Sequence, residues 1–345
     1  MTRNGASQEK RRVLVVGGGG VGTMACVALE KSNMASVTVV LRSNFNKVVQ
    51  DGFEIESVDH GKLTAWRPSA VVNTVPQSDP TKPFDYVLVT MKNIPELTDI
   101  PKIIAPAITP GHTTIVLLQN GLYIEPPIVK AFPQNILLSG ASYIGAHERN
   151  AQVVHDDHDH FHLGAFHNPT FDRSAERVKL DDFASVYNGS KVVEAEIVDD
   201  IVLYRWRKVL WNGIFNPMCA ITQLDSAMVR RAGGEYSVIR PGMAEMAAIA
   251  KADGYDLGEN IVDVMIDSTP IELAFRPSML VDVDKGNPME AEVILGNALR
   301  VARKRGVQTP ILDNTYRFLK LVQARLLIAR GSIAQPTGLP TKDFI

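Results

Sequence analysis

Six residues near the N-terminus constrain the fold more than any other stretch. Val13–Val16 is a short apolar run, and Gly17-Gly18-Gly19-Gly20-Val21-Gly22 follows it at once. Thr23 to Lys31 then reads as a helix and Ser36–Leu41 as a β-branched strand. Strand, glycines, helix and strand in this order fit G-x-G-x-x-G at the first turn of a dinucleotide-binding βαβ unit. Gly17 permits the tight turn, Gly19 lets the backbone approach a pyrophosphate, and Gly22 allows close helix–strand packing. The helix N-terminus faces the anion. Gly18, Gly20 and Val21 complete the expected cofactor loop. A glycine-rich turn without a nucleotide is the competing reading, and the order of elements weighs against it.

Three further uninterrupted apolar runs, Phe84–Met91, Thr113–Leu118 and Ile136–Ser139, suggest parallel strands buried on both faces. From about Glu194 the texture changes to long helical patterns over 194–215, 235–252, 257–268, 288–305 and 310–330. A chain of 345 residues can hold two cores. The expected architecture is α/β. A Rossmann-like, doubly wound parallel sheet that binds a dinucleotide, argued below to be NADP, spans 1–195. An all-helical domain carrying the substrate and the catalysis spans 196–345, with a cleft between the two.

Composition excludes several functions. There are 36 basic and 38 acidic side chains, so the net charge of −2 argues against a nucleic-acid or anionic-membrane surface. Cys26 and Cys219 sit in apolar stretches, form no disulfide framework, and point to a reducing compartment. The first twelve residues, MTRNGASQEKRR, lack the apolar core of a signal peptide. No run approaches the ~18 apolar residues of a membrane span. A cytoplasmic protein is expected. The amphipathic helices of the C-terminal half would suit a homodimer, although a core explains them equally well.

The end of the second strand bears on the cofactor. An NAD site usually carries an acid there for the ribose 2′-hydroxyl, but this chain reads Leu41-Arg42-Ser43-Asn44. A guanidinium suits a 2′-phosphate, so Arg42 favours NADPH over NADH, against the plainer reading of a solvated strand-end charge. Lys92 and Asn120 follow the next two apolar runs, where ligands gather in doubly wound sheets.

The second informative stretch is Trp206 to Asn216, W-R-K-V-L-W-N-G-I-F-N. Lys208, Asn212 and Asn216 recur every four residues, which on a helix makes one polar line among apolar neighbours. An ammonium and two carboxamides suit a small, oxygen-rich substrate. Lys208 alone is equally explained as a salt-bridged helix lysine. Pro217 removes the hydrogen bond to the Gly213 carbonyl and should kink or end the helix, leaving Asn216 at an irregularity. Trp206 and Trp211 read as packing residues.

These pieces together resemble the ketopantoate reductase (2-dehydropantoate 2-reductase) family. The matching segments are G-G-G-G-V-G at 17–22, Arg42, Met91-Lys92, Gln119-Asn120-Gly121, W-R-K-V-L-W-N-G-I-F-N-P at 206–217 and R-P-S-M-L-V-D-V-D-K-G-N-P-M-E at 276–290. The resemblance spans roughly residues 12 to 325. It implies NADPH-dependent reduction of a 2-oxo acid in pantothenate biosynthesis, with NADP(H) as cofactor and no metal. Lys208 would be the general acid, Asn212 and Asn216 would hold the substrate, and Ser278 would bond it from another wall. Glu290 would contact the cofactor and order the site, and Lys92 and Asn120 would lie at the cofactor, Asn120 also near the substrate. Gly145 would sit against the nicotinamide.

Plainer readings stand beside these roles. Asn287-Pro288-Met289-Glu290 reads as a capping-box-like helix start. Ser278 without its spacing to Glu290 is an ordinary loop serine. The run from His155 to His162 departs from the family pattern. His158, His160 and His162 would share one face of a strand, an arrangement that suits metal ligands. A hairpin with its turn near Asp157–Asp159 is the better reading, with adventitious metal affinity at most. Residues 57–80 and the tail after 330 carry no assignment. Two other functions remain: a related NADPH reductase of another ketone, diketone or imine, and a catalytically silent NADPH-binding regulator.

Overall fold

The structure is a computed structural model that describes residues 9–337. The opening part of the stretch read for a targeting signal, up to residue 8, and the tail from residue 338 lie outside the described residues. The strands are β1 Arg11–Val16, β2 Ala35–Val40, β3 Phe53–Ser57, β4 Gly61–Trp66, β5 Ala70–Val72, β6 Tyr86–Val89, β7 Thr114–Leu117, β8 Leu137–Ser142, β9 Gly145–Arg149, β10 Gln152–Asp157, β11 His160–Phe166 and β12 Glu194–Ile197.

Eight of them form one sheet in the order β12-β11-β8-β7-β6-β1-β2-β5. From β5 to β8 every pairing is parallel. β11 then runs antiparallel to β8, and β12 parallel to β11. The parallel strands progress outward in both directions from β1 and β6, which is the doubly wound arrangement, and the order reverses between those two strands. Ligands bind such sheets beyond the carboxyl ends of the strands at that reversal. Val13, Leu14, Val15, Val87, Leu88 and Val89 are completely buried. That is why these runs are apolar without alternation: both sheet faces are covered. Burying each such side chain contributes roughly 1.5–3 kcal/mol relative to exposure.

A second sheet, β4-β3-β10-β9, was only partly foreshadowed by the sequence. It corrects the expected hairpin at 153–164. β10 pairs with β3 and β9, whereas β11 pairs with β8 and β12, so the two strands belong to different sheets. Side chains at the corner explain the separation. The Asp159 N–H donates to Asp59 Oδ2 at 2.9 Å, Tyr187 O–H donates to Asp159 Oδ2 at 2.6 Å, and the buried His155 shares a 2.7 Å hydrogen bond with Ser57 Oγ.

This corner makes stability depend on pH. Burial, helped by the Asp59 charge and opposed by the Tyr187 hydrogen bond, pushes the Asp159 carboxyl up to about 6. An unfolded Asp titrates near ~3.9. The folded state therefore binds a proton more tightly, and stability falls as pH rises from about 4 to about 6. Above that range the penalty is complete. Asp159→Asn is expected to stabilise the protein by on the order of 1–3 kcal/mol at pH 8 and by little at pH 4. Thermal unfolding at both pH values checks this, and an equal gain at each would reject the ionisation account.

The chain divides into two compact units. The first takes the chain up to Lys92, Asp99–Gln119 and Glu125–Ile201. The second takes Asn93–Thr98, Asn120–Ile124 and the chain from Val202. Among the described residues from Val202 onward the regular elements are all helical, including Ile201–Thr222, Arg240–Ala252, Ile261–Asp267, Ser278–Asp284, Asn297–Arg305 and Pro310–Ala329. Three expected helices start later than their patterns suggested, and that of 257–268 begins only at Ile261. In 194–215 the first four residues are β12, because Glu194-Ala195-Glu196-Ile197 alternates with period two and adds to β11. In 288–305 no helix begins before Ala291. Pro217 neither ends nor interrupts its helix, which continues to Thr222. Among the described residues no helix is long and apolar enough to cross a membrane.

Candidate functional site

In the first unit the glycine turn sits at the exit of β1. Gly17 has φ +117°, and a Cβ on it would lie 2.5 Å from the Met91 nitrogen at the exit of β6. Gly22 packs against the turn itself: its Cβ would fall 1.8 Å from the Gly17 carbonyl oxygen and 2.5 Å from Thr90 Oγ1. Gly18 is closed off by Leu41, and Gly20 by the Ala146 carbonyl. Gly19 is different, for a Cβ there would meet nothing within 4 Å. It is exposed, extended in backbone, and offers no side-chain cap to the helix Gly20–Lys31, whose second residue is Val21. The first amides of that helix have no intrahelical partner. The arrangement presents N–H donors and open space at one point, which fits a pyrophosphate.

Arg42 lies just beyond β2, exposed, and its side chain makes no hydrogen bond or ion pair to another described residue. Lys92 is exposed immediately past Met91. Gly145 opens β9, and the next residue's carbonyl is the one that abuts Gly20. Two residues that the sequence reading passed over hold the turn in shape. Thr90 Oγ1–H donates to the Gly17 carbonyl at 2.7 Å. Asn44 Nδ2 donates to the Gly18 carbonyl and to Glu148 Oε1, each at 3.3 Å. Thr90 could have been suspected as the one aliphatic hydroxyl in the run that ends β6, but nothing local marks Asn44.

In the second unit three predicted residues meet through one amide. Lys208 Nζ donates to Asn120 Oδ1 at 2.8 Å, and Asn120 Nδ2 donates to Glu290 Oε2 at 3.1 Å. The other Glu290 oxygen accepts the Asn93 N–H at 2.9 Å. The Asn120 orientation is forced, since an ammonium only donates and a carboxylate only accepts. Glu290 is 3% exposed, and the Lys208 and Asn120 side chains are half-buried. The loop that carries Asn120 is clamped on both sides. The buried Arg205 donates to the Gly121 carbonyl at 2.8 Å, Leu122 N–H to Val293 O at 2.8 Å, and Asn297 Nδ2 to Leu122 O at 2.6 Å. Arg205 lies three residues before Lys208, outside the four-residue repeat of the polar line, and its partner is a loop carbonyl distant in sequence that no local pattern reveals.

The capping box expected at Asn287–Glu290 does not form. Gln323 binds both backbone groups of Met289, with its Oε1 accepting at 2.8 Å and its Nε2 donating at 3.0 Å. Met289 is thereby held out of the helix, and the Glu290 carboxylate reaches Asn93 and Asn120 instead of its own helix start.

The polar line is divided in its partners. Asn216 is almost fully buried, and its Oδ1 accepts the Met279 N–H at 3.0 Å and the Ser278 hydroxyl at 3.4 Å. It therefore caps the Ser278–Asp284 helix from a neighbouring helix, in the place where an N-cap side chain normally stands. This gives Asn216 and Ser278 a shared structural duty at the start of another helix, and not at the break that Pro217 was expected to cause. Asn212, one turn away, is half-buried, and its amide has no hydrogen-bond partner among the described residues. Trp206 is fully buried, and Trp211 stacks on Phe215 at 4.7 Å while donating to Thr269 Oγ1.

Comparison with known proteins gives a consistent picture. The family model described as Ketopantoate reductase PanE/ApbA matches residues 13–168, and the one for its C-terminal part matches 200–323. The chain is 34% identical to an uncharacterized protein of Saccharomyces cerevisiae over 344 residues, covering 93% of this chain and 96% of the relative. It is 27% identical to a 2-dehydropantoate 2-reductase of Nostoc over 323 residues, 92% of this chain and 97% of that one. The crystal structure of 2-dehydropantoate 2-reductase from Methylococcus capsulatus superposes with a TM-score of 0.78 at 32% identity, covering 91% of this chain and 97% of the other. The order of motifs, the doubly wound sheet, the helical second unit and these matches lead to one conclusion: the chain belongs to the ketopantoate reductase family.

Proposed function

We propose that the protein is a cytoplasmic, NADPH-dependent reductase of a 2-oxo acid, and that the acid is 2-dehydropantoate, reduced to pantoate. The observation that carries this reading is the Lys208–Asn120–Glu290 chain. Hydride addition to a ketone leaves negative charge on oxygen. An ammonium is the side chain that can both stabilise that charge and deliver a proton to it. When bound at the glycine turn, NADPH supplies the hydride. Gly17–Gly22 would hold its pyrophosphate and Arg42 its 2′-phosphate, with Lys92 and Gly145 nearby.

The protein's own groups do the rest. Lys208 Nζ holds the substrate oxygen and passes it a proton. Asn120 aims Nζ by accepting one of its three N–H bonds. Glu290 fixes the Asn120 amide, and through that amide it helps aim Lys208, which makes its role in proton delivery a positioning one. Asn212 would offer its amide to the substrate carboxylate or hydroxyl. Asn216 and Ser278 would shape the same surface, Ser278 retaining a hydroxyl that can turn toward substrate.

The decisive experiment is a panel of 2-oxo acids, diketones and imines with NADPH oxidation followed by absorbance. Turnover of ketopantoate well above the others supports the full proposal. Preference for another carbonyl removes the substrate and keeps the chemistry. Cofactor binding with no turnover on any member would leave a silent binding protein.

Arg42 carries the cofactor preference. Losing a charge-assisted contact costs roughly 1.5–3 kcal/mol, so Arg42→Ala is expected to lower the NADPH-to-NADH ratio of kcat/KM by about tenfold to a hundredfold. Parallel kinetics with both cofactors check this. An unchanged ratio would return Arg42 to a solvated strand end.

A further inference from the structure

The structure regroups the histidine run. His158 turns to Asp59, whereas His160 and His162 point to a residue that no reading of the run alone could supply. β11 and β12 are parallel neighbours, with His162 opposite Glu196 and His160 two residues earlier on the same face. His160 Nε2 lies 3.4 Å and His162 Nε2 3.3 Å from the same oxygen, Glu196 Oε2. One ligand atom from each of the three residues falls within 4.8 Å of the other two.

Those distances separate two explanations. A charge-assisted N–H···O⁻ hydrogen bond is usually about 2.7–2.9 Å, so both contacts are too long to be good ones. Two ligands on a tetrahedral ion at bond lengths of about 2.0–2.1 Å stand about 3.3–3.4 Å apart, which is what both contacts show. The donor set is two imidazoles and a carboxylate on a strand pair whose backbone fixes their spacing. His162 is 15% exposed in its side chain and His160 34%, and Tyr143 packs against both rings, limiting their rotamers. The Glu196 side chain, 47% exposed, leaves the site open to solvent on one side. The site is thus accessible for loading and has room for a water as fourth ligand.

We propose that His160, His162 and Glu196 bind a zinc ion with two nitrogens, one carboxylate oxygen and a water. The ion would clip the edge strand β12 to β11. This site shares no residue with the glycine turn or with the Lys208–Asn120–Glu290 chain, and the proposal does not depend on the reductase reading.

The test is isothermal titration of the tag-free full chain with zinc chloride, paired with thermal unfolding at saturating zinc. The expected result is saturable one-to-one binding in the micromolar range, a rise in Tm, and reversal by a chelator. His162→Gln and Glu196→Gln, both at surface-accessible positions, should each weaken binding by at least about tenfold, with Tm in the absence of zinc little changed. No saturable binding, or binding that both variants leave intact, would overturn the proposal.

Discussion

Lys208→Ala is expected to lower turnover at least about a hundredfold while NADPH affinity stays close to wild type. The size follows from positioned acid catalysis, typically on the order of 10²–10⁴-fold, together with loss of the charge that meets the developing oxyanion. The selectivity follows from structure. Lys208 belongs to the helical unit and bonds to Asn120 there, whereas the glycine turn is built wholly within the sheet unit. Because the Lys208 side chain is only half-buried, its truncation opens no large cavity and the variant should fold. Single-turnover kinetics and a cofactor titration on the same preparation give both quantities. A variant within tenfold of wild-type turnover would remove Lys208 as the acid. Glu290→Gln separates the positioning role from the catalytic one. A glutamine can still accept from Asn93 or Asn120, but it cannot satisfy both as a carboxylate does, so kcat should fall by less than in Lys208→Ala.

What the sequence disclosed follows a physical division. The parallel strands were legible because burial on both faces forces uninterrupted apolar runs, and the glycine turn was legible because its close contacts forbid side chains. β4 and β5 were not, since β4 is largely exposed and β5 has only three residues. The corner at Asp157–Asp159 was misread because its direction is set by Asp59 and Tyr187, which are distant in sequence. The same limit governed the site. Period four brought Lys208, Asn212 and Asn216 onto one helix correctly, yet it could not show that Asn216 caps another helix. It could not show that Glu290 is drawn out of a capping box, because the cause is Gln323. Local pattern identifies which residues are chemically capable. Their partners are fixed by contacts across the fold.

Two alanine substitutions in the glycine turn should part company, and their contrast tests the cofactor site more sharply than either alone. At Gly22 a Cβ would stand 1.8 Å from the Gly17 carbonyl oxygen, a backbone atom, with Thr90 Oγ1 at 2.5 Å. The helix must move away from the strand exit, and close-packed interiors resist such shifts at a cost of typically 1–3 kcal/mol or more. Gly22→Ala should therefore lose stability and NADPH binding together. At Gly19 the backbone, φ −76° and ψ −171°, accepts any residue, and the new Cβ would meet nothing within 4 Å. Gly19→Ala should shift Tm by no more than a few degrees, because the lost N-cap preference for glycine, about 1 kcal/mol, is offset by the roughly 0.4–1 kcal/mol gained from a less flexible unfolded chain. If a pyrophosphate passes over Gly19, the methyl group occupies that space, and NADPH affinity should fall at least about a hundredfold, roughly 2.7 kcal/mol. Stability and affinity thus separate at one glycine and move together at the other, three residues along the same turn. Wild-type NADPH affinity in Gly19→Ala would mean that the open space beside that residue is solvent, and the cofactor would have to be placed elsewhere.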